Sequence, residues 1–293
     1  MKKQLNLIVA LFFLFSPAAF GQYDVPYVPT DYAVVDSMLS MVQVREGEKL
    51  YDLGCGDGRI VVTAAKKFGA RAVGIDINPV RIEESWANAE KESVTDRVEF
   101  LEQNLFETDF RDADVITMYL LQWVNLRLRP MFFRDLKPGT RLVSHAFTMG
   151  EWEADRRMEI ARSDGWGTSN LYFWVLPANV SGDWSFDTGD LPHLLHIDQA
   201  FQRITGTMEV RENQRPIDDM ELSGDRIHFV VNVAREDNTV SYEYNGVADG
   251  DTITGTITSG GNVTKWVATR DPSTAVPLDI TPEEAESQPR YGY

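Results

Sequence analysis

The run Asp52-Leu53-Gly54-Cys55-Gly56-Asp57-Gly58 and a later acid, Asp76, hold the densest chemistry in the chain. Glycines alternating as G-x-G-x-G let a backbone turn tightly and let a ligand lie against it. One acid stands before the first glycine and another between the last two, so the turn carries negative charge. A carboxylate such as Asp76, placed at the end of a strand, can accept both hydroxyls of a ribose. The spacing is not the G-x-G-x-x-G of a pyrophosphate cradle, and no Lys-Ser/Thr pair follows to make a phosphate-binding loop. The ligand that suits this loop is cationic near the glycines and carries a ribose further on.

These residues need elements to hold them. Leu50, Tyr51 and Leu53 read as a buried strand running into the turn. A helical pattern follows at Ile60, Val61, Ala64, Ala65 and Phe68, closed by Gly69. Ala72-Val73-Gly74-Ile75 is a second strand with Asp76 at its end. This strand–loop–helix–strand–acid unit, Lys49 to Asp76, closely resembles motif I and the following acidic motif of the class I S-adenosylmethionine (SAM)-dependent methyltransferases. The resemblance implies S-adenosyl-L-methionine as the cofactor, with its amino-acid head and sulfonium at the loop and its ribose on Asp76.

Tyr27-Val28-Pro29-Thr30 precedes a helix through Val34, Val35, Met38, Leu39 and Val42, with Thr30 or Asp31 as its cap. It resembles the pre-motif of one subgroup, the small lysine methyltransferases of mitochondria and their bacterial relatives, distantly similar to the Rossmann-type histone-lysine methyltransferase. There the segment folds over the methionine end of the cofactor; a plain structural cap is the alternative reading. Asn78-Pro79 starts a second helix running to about Glu92, Val98 to Leu101 is a third strand, and Ala113 to Leu120 a fourth. A helix is expected after Pro130 as far as Leu136, then a fifth strand over Arg141 to His145. Glu159 to Arg162 and Leu171 to Leu176 form a closing hairpin. The stretches MYLLQWVNLRLRP and LKPGTRLVSHAF resemble the same subgroup, and the resemblance runs from about Tyr27 to Met149. It implies a cofactor site drawn from Tyr27, Thr30, Asp52, Gly54, Cys55, Gly56, Gly58, Asp76, Ile77, Asn104 and Leu105. Many members hold an acid for the adenine amino group where this chain has Asn104. Tyr119, at the end of the fourth strand, falls beside the methyl group in this fold and is the candidate to position the acceptor.

From Pro177 the pattern changes to short alternating strands with Gly/Asp/Asn turns. The fold class is therefore α/β: a Rossmann-like seven-stranded methyltransferase sheet with an appended all-β barrel or sandwich. The divisions are 1–21, a signal peptide; 22–177, the methyltransferase domain, expected to bind its cofactor alone; 178–270, the β domain; and 271–293, a disordered tail. Echoes such as Ile204-Thr205-Gly206-Thr207 with Ile253-Thr254-Gly255-Thr256 read as turns of a meander. His193-x-x-His196 lacks a nearby acid or cysteine at metal spacing, and no metal is expected. A net charge of −17 argues against a nucleic-acid partner.

The acceptor is a protein lysine or a small molecule. A rival reading is an exported binding protein that keeps the frame without catalysis. Met1-Lys2-Lys3, the apolar run Leu5 to Phe15 and the small residues Ala19 and Gly21 read as an export signal cut ahead of Gln22. Membrane association follows only if that segment is uncleaved. Export would separate the domain from cytosolic SAM, yet the compositional signal is the more direct of the two. Mass spectrometry of the isolated protein is expected to find a chain beginning at or near Gln22; an intact Met1 on a cytosolic, active enzyme would overturn export.

Overall fold

The computed structural model of the protein describes residues 25–161, 167–188, 191–210, 213–234 and 238–278. Helix α1 (Tyr32–Met41) is capped by Asp31, whose carboxylate accepts the Ala33 N–H at 2.8 Å. Then come β1 (Lys49–Leu53), α2 (Arg59–Phe68), β2 (Arg71–Asp76), α3 (Pro79–Glu92) and β3 (Val98–Glu102). They are followed by β4 (Val115–Met118), α4 (Gln122–Asp135), β5 (Arg141–His145), β6 (Arg156–Ala161) and β7 (Thr168–Val175). The sheet order is β3-β2-β1-β4-β5-β7-β6, with β1 to β5 parallel, β7 antiparallel to β5 and β6 antiparallel to β7.

Period two splits β1 between the two faces. Leu50 packs under α1 and α2 with Val35, Leu39 and Val61, while Tyr51 and Leu53 join Ile116, Phe132 and Trp152 on the other side. Strand order reverses between β1 and β4, so the ends at Leu53 and Met118 diverge and leave a crevice. Two elements differ from the sequence reading. Strand β4 pairs only over Val115–Met118, leaving Tyr119 and Leu120 free to turn into that crevice. Helix α4 runs straight through Pro130, because its buried face (Leu126, Leu128, Phe132) holds the turn that proline alone would break.

The second part contains β8 (Gly182–Thr188), β9 (Leu191–Ala200), β10 (Arg203–Val210), β11 (Asn213–Pro216) and β12 (Asp218–Ser223). It continues with β13 (Arg226–Ala234), β14 (Thr239–Asp249), β15 (Thr252–Ser259) and β16 (Asn262–Arg270). All neighbours are antiparallel in the order β11-β10-β9-β8-β16-β15-β14-β13-β12. The two ends of that sheet meet where the Ile217 N–H donates to the Gly206 carbonyl at 3.2 Å, so the sheet is a nearly closed barrel.

The Ile-Thr-Gly-Thr echoes lie inside β10 and β15, not in turns. A Cβ on Gly206 would sit 2.3 Å from the His196 carbonyl oxygen, and one on Gly255 1.8 Å from that of Asn245. Glycine there lets adjacent strands coil closely enough to close the barrel. The first residues of the expected disordered tail, from Asp271, are held in place. The Asp271 N–H donates to the Asp183 carbonyl at 2.9 Å, and the Val276 N–H to Ser181 Oγ at 3.0 Å, which holds 271–276 along β8. Residues 279–293 and the leader 1–21 lie outside the described residues.

Strand β7 ends at Val175 and β8 starts at Gly182, but the two parts share more than this link. Phe201, at the β9–β10 turn, stacks on Trp152 with centroids 6.0 Å apart and lies 5.9 Å from Phe133. Gln202 accepts the Trp152 Nε1–H at 2.9 Å and donates to the Glu153 carbonyl at 2.7 Å. The methyltransferase part alone would expose this aromatic face, so its independence is less complete than the sequence suggested.

Phe201 also has φ 55°, a left-handed conformation costing a non-glycine residue about 1–2 kcal/mol. Removing the half-buried ring forfeits roughly 1–2 kcal/mol of apolar burial. Phe201→Ala is therefore expected to lower the urea-unfolding free energy by about that amount. Phe201→Gly should recover about 1 kcal/mol of the loss by relieving the backbone. Equal stability of wild type and Phe201→Ala would mean that the turn does not join the two parts.

Candidate active site

The loop after β1 turns through Gly54 (φ 77°), Gly56 (φ 56°) and Gly58 (φ 74°), a conformation that favours glycine at each. Its anchor is Asp76: one carboxylate oxygen accepts the Gly56 N–H at 2.9 Å and the other the Asn78 N–H at 2.9 Å. Burial raises the Asp76 carboxyl above its ordinary range, and these backbone donors offset part of the rise. The Gly54 and Cys55 N–H groups donate to the Ile75 carbonyl, which pins the loop to the end of β2.

Asp52 is fully buried beneath this loop, and burial pushes its carboxyl up to about 7. The Thr117 hydroxyl donates to it at 2.7 Å and opposes that rise, while Asp76 and Asp57 add to it. The group is thus held near the point where a cation can draw it into its ionised form.

Above the loop lies the segment 25–30. A Cβ on Gly56 would come within 2.5 Å of the Tyr27 ring, so the missing side chain is what seats that tyrosine. Two arginines that the sequence reading passed over hold the strap. Arg59 grips Asp57 through Nε and Nη2 at 2.8 and 2.6 Å and donates to the Thr30 carbonyl at 2.8 Å. Burial raises the Asp57 carboxyl, but Arg59 outweighs it and holds the group below its usual range. Arg81 lies 4.3 Å over the Tyr27 ring. The position of Arg59, directly behind the glycine loop, was the available signal; nothing local marks Arg81.

The crevice brings together Tyr27, Thr30, Asp52, Gly54, Cys55, Gly56, Asp76, Ile77, Asn104, Leu105 and Tyr119. Gly58 does not line it. That residue caps α2, and a Cβ there would strike Phe100 and Ser85 at 2.8 Å, so its glycine serves packing. Asn104 is partly occupied: its Oδ1 accepts the Phe106 N–H at 3.1 Å and its Nδ2 donates to Glu107 at 3.0 Å. One amide hydrogen and one lone pair remain for an adenine edge. Cys55 is buried, with its thiol pushed up by burial, which suits a space-filling side chain.

At the methyl end, Tyr119 stacks on His145 with centroids 3.9 Å apart and faces Phe147 at 6.4 Å. Thr30 Oγ1 lies 3.4 Å from His145 Nδ1, tying the strap to the end of β5. Ala146 carries φ 69° between His145 and Phe147, a left-handed kink that turns Phe147 back toward Tyr119. His193 and His196 are three residues apart on β9, so period two sends them to opposite faces of that strand.

The glycine cradle, the buried acid at the loop and the strand-end acid fit a cofactor with a cationic head and a ribose. Residues 52–156 match the family described as the ANTKMT methyltransferase domain. A protein-lysine N-methyltransferase of Saccharolobus islandicus (strain REY15A) is 46% identical over 153 residues, covering 52% of this chain and 94% of the relative. The adenine nucleotide translocase lysine N-methyltransferase of Mus musculus is 32% identical over 130 residues. That match covers 44% of this chain and spans about half the length of the mouse protein, 56%. Among solved structures, an RNA methyltransferase from Salinibacter ruber in complex with S-adenosyl-L-homocysteine is 47% identical, with a TM-score of 0.47. It covers 50% of this chain and 93% of that one.

Asp52 sets a pH dependence. Its raised pKa leaves it mainly neutral near pH 6 and mainly ionised above about pH 7.5, and a cationic ligand at the loop selects the ionised form. Calorimetric affinity for SAM is expected to rise several-fold over that interval. Asp52→Asn should flatten the profile; an unchanged profile in that variant would place the titrating group elsewhere.

Proposed function

The chain belongs to the ANTKMT family of SAM-dependent methyltransferases, and from that premise we propose that it methylates the ε-amine of a lysine in a protein. The observation that carries the finer reading is the 46% identity to a protein-lysine N-methyltransferase across 94% of that relative. The aromatic wall of Tyr119, His145 and Phe147 suits a lysine stem, whose methylenes pack on ring faces while the nitrogen passes between them.

SAM, when bound, supplies a methyl group on a sulfonium that is already a good leaving group. The protein's share is alignment and exclusion of water. Asp76 takes the ribose, Asp52 and the Gly54–Gly56 backbone face the methionine end, and Tyr27 lies across the loop as its cover. Tyr119 positions the acceptor. The lysine must shed its proton before attack, because only a neutral amine has a lone pair to offer. Export by the N-terminal segment is retained as part of this proposal.

Transfer of a labelled methyl group from SAM into a lysate fractionated into protein, RNA and small molecules tests the reading. Label is expected in protein, on lysine after hydrolysis. Asp76→Ala should weaken SAM binding tenfold or more by removing charge-assisted hydrogen bonds worth about 1.5–3 kcal/mol each. Label confined to RNA or to small molecules would overturn the lysine assignment while leaving methyl transfer intact.

A further inference from the structure

The matched family region ends at residue 156, so the barrel needs an account of its own. Its inward positions fall into two layers. Phe186, Phe229, Tyr244 and Trp266 meet at centroid distances of 4.6 to 6.0 Å and fill one half as an aromatic floor. Beyond that floor a cavity of about 720 Å³ remains, with Val210, Val231, Val233 and Ile257 as its aliphatic wall and Ser259, Asn262 and Thr264 as a polar side. That lies in the range of small-molecule sites, roughly 300–1,000 Å³. Val210, Val233 and Tyr242 are only half buried although the strand period points them inward, because they face this space. Larger side chains at these positions would have closed it.

The cavity's polarity says what fills it. Among the described residues that line it none is acidic, in a chain whose net charge is −17. Arg215 is among them. It pairs across β10–β11 with the buried Met208, and directly opposed residues share a face, so Arg215 faces into the barrel. It has no carboxylate partner among the described residues. A guanidinium with no acidic partner among the described residues, beside a wall of Val210, Val231, Val233 and Ile257, is a donor for a carboxylate.

We propose that the barrel is a binding site for a fatty acid, its alkyl chain resting on Val210, Val231, Val233 and Ile257 and its carboxylate on Arg215. A barrel of this size holds one such ligand in its mouth. The occupant is small and diffusible, which distinguishes this site from the methyl-acceptor cleft.

The full chain titrated with dansyl-labelled undecanoic acid is expected to give saturable fluorescence enhancement at a single site, reversed by unlabelled myristic acid. Myristyl alcohol should compete at least tenfold less well. Arg215→Gln should weaken the acid tenfold or more and leave the alcohol unchanged. Val233→Trp, which fills the cup, should abolish binding while the circular dichroism and melting temperature stay near wild type. If that variant does not fold, Thr264→Phe fills the same space from a neighbouring strand. Absence of saturable binding, or wild-type binding by a folded cavity-filled variant, would overturn the site. Equal competition by acid and alcohol, or an Arg215→Gln variant that binds the acid normally, would overturn the carboxylate assignment.

Discussion

The missing side chain at Gly56 is the constraint on which the cofactor site depends. Its backbone N–H is held by Asp76, and the space a Cβ would take is filled by the Tyr27 ring. Loop, ribose acid and strap are thereby tied at one residue. Arg59 and Arg81 then secure the strap at two points, one through the Thr30 carbonyl and one through the Tyr27 ring. A β-carbon at Gly56 would displace all of these together, and in a left-handed conformation that already penalises it.

Around that residue two acids divide the work by environment. Asp76 is tied by two backbone donors at the edge of the crevice. Asp52 is buried and has one side-chain hydroxyl donor among the described residues, so it titrates near neutral pH and a cation favours its charge. The same burial that makes an ionised Asp52 costly makes it responsive to a cation. Methyl transfer needs no visible catalytic dyad, since alignment and exclusion of water are what the donor chemistry leaves to the protein.

The barrel is joined to this machinery through an aromatic contact: Phe201 lies on Trp152, which also packs against Phe133 of α4. That helix starts immediately after the Tyr119–Leu121 segment leading from the crevice. The two parts are therefore in mechanical contact, although their cores are separate.

The sequence by itself determined the βαβ unit, its loop and its terminal acid, because glycine spacing, helical period and a strand-end carboxylate are local signals. The change from α/β to all-β patterning near Pro177 was legible for the same reason. What it could not determine rests on contacts between distant residues. Asp52 reads as one more loop acid until Thr117, from another strand, is its sole side-chain donor among the described residues. Gly58 reads as a ligand glycine until Phe100 and Ser85 close on it. The Ile-Thr-Gly-Thr echoes read as turns because glycine favours turns, whereas in the barrel they sit where two backbones come too close for a Cβ. Arg215, Phe201 and Arg81 carry no local mark at all. The residues they face lie on other elements, and only the nearly closed sheet and the folded strap bring them within reach.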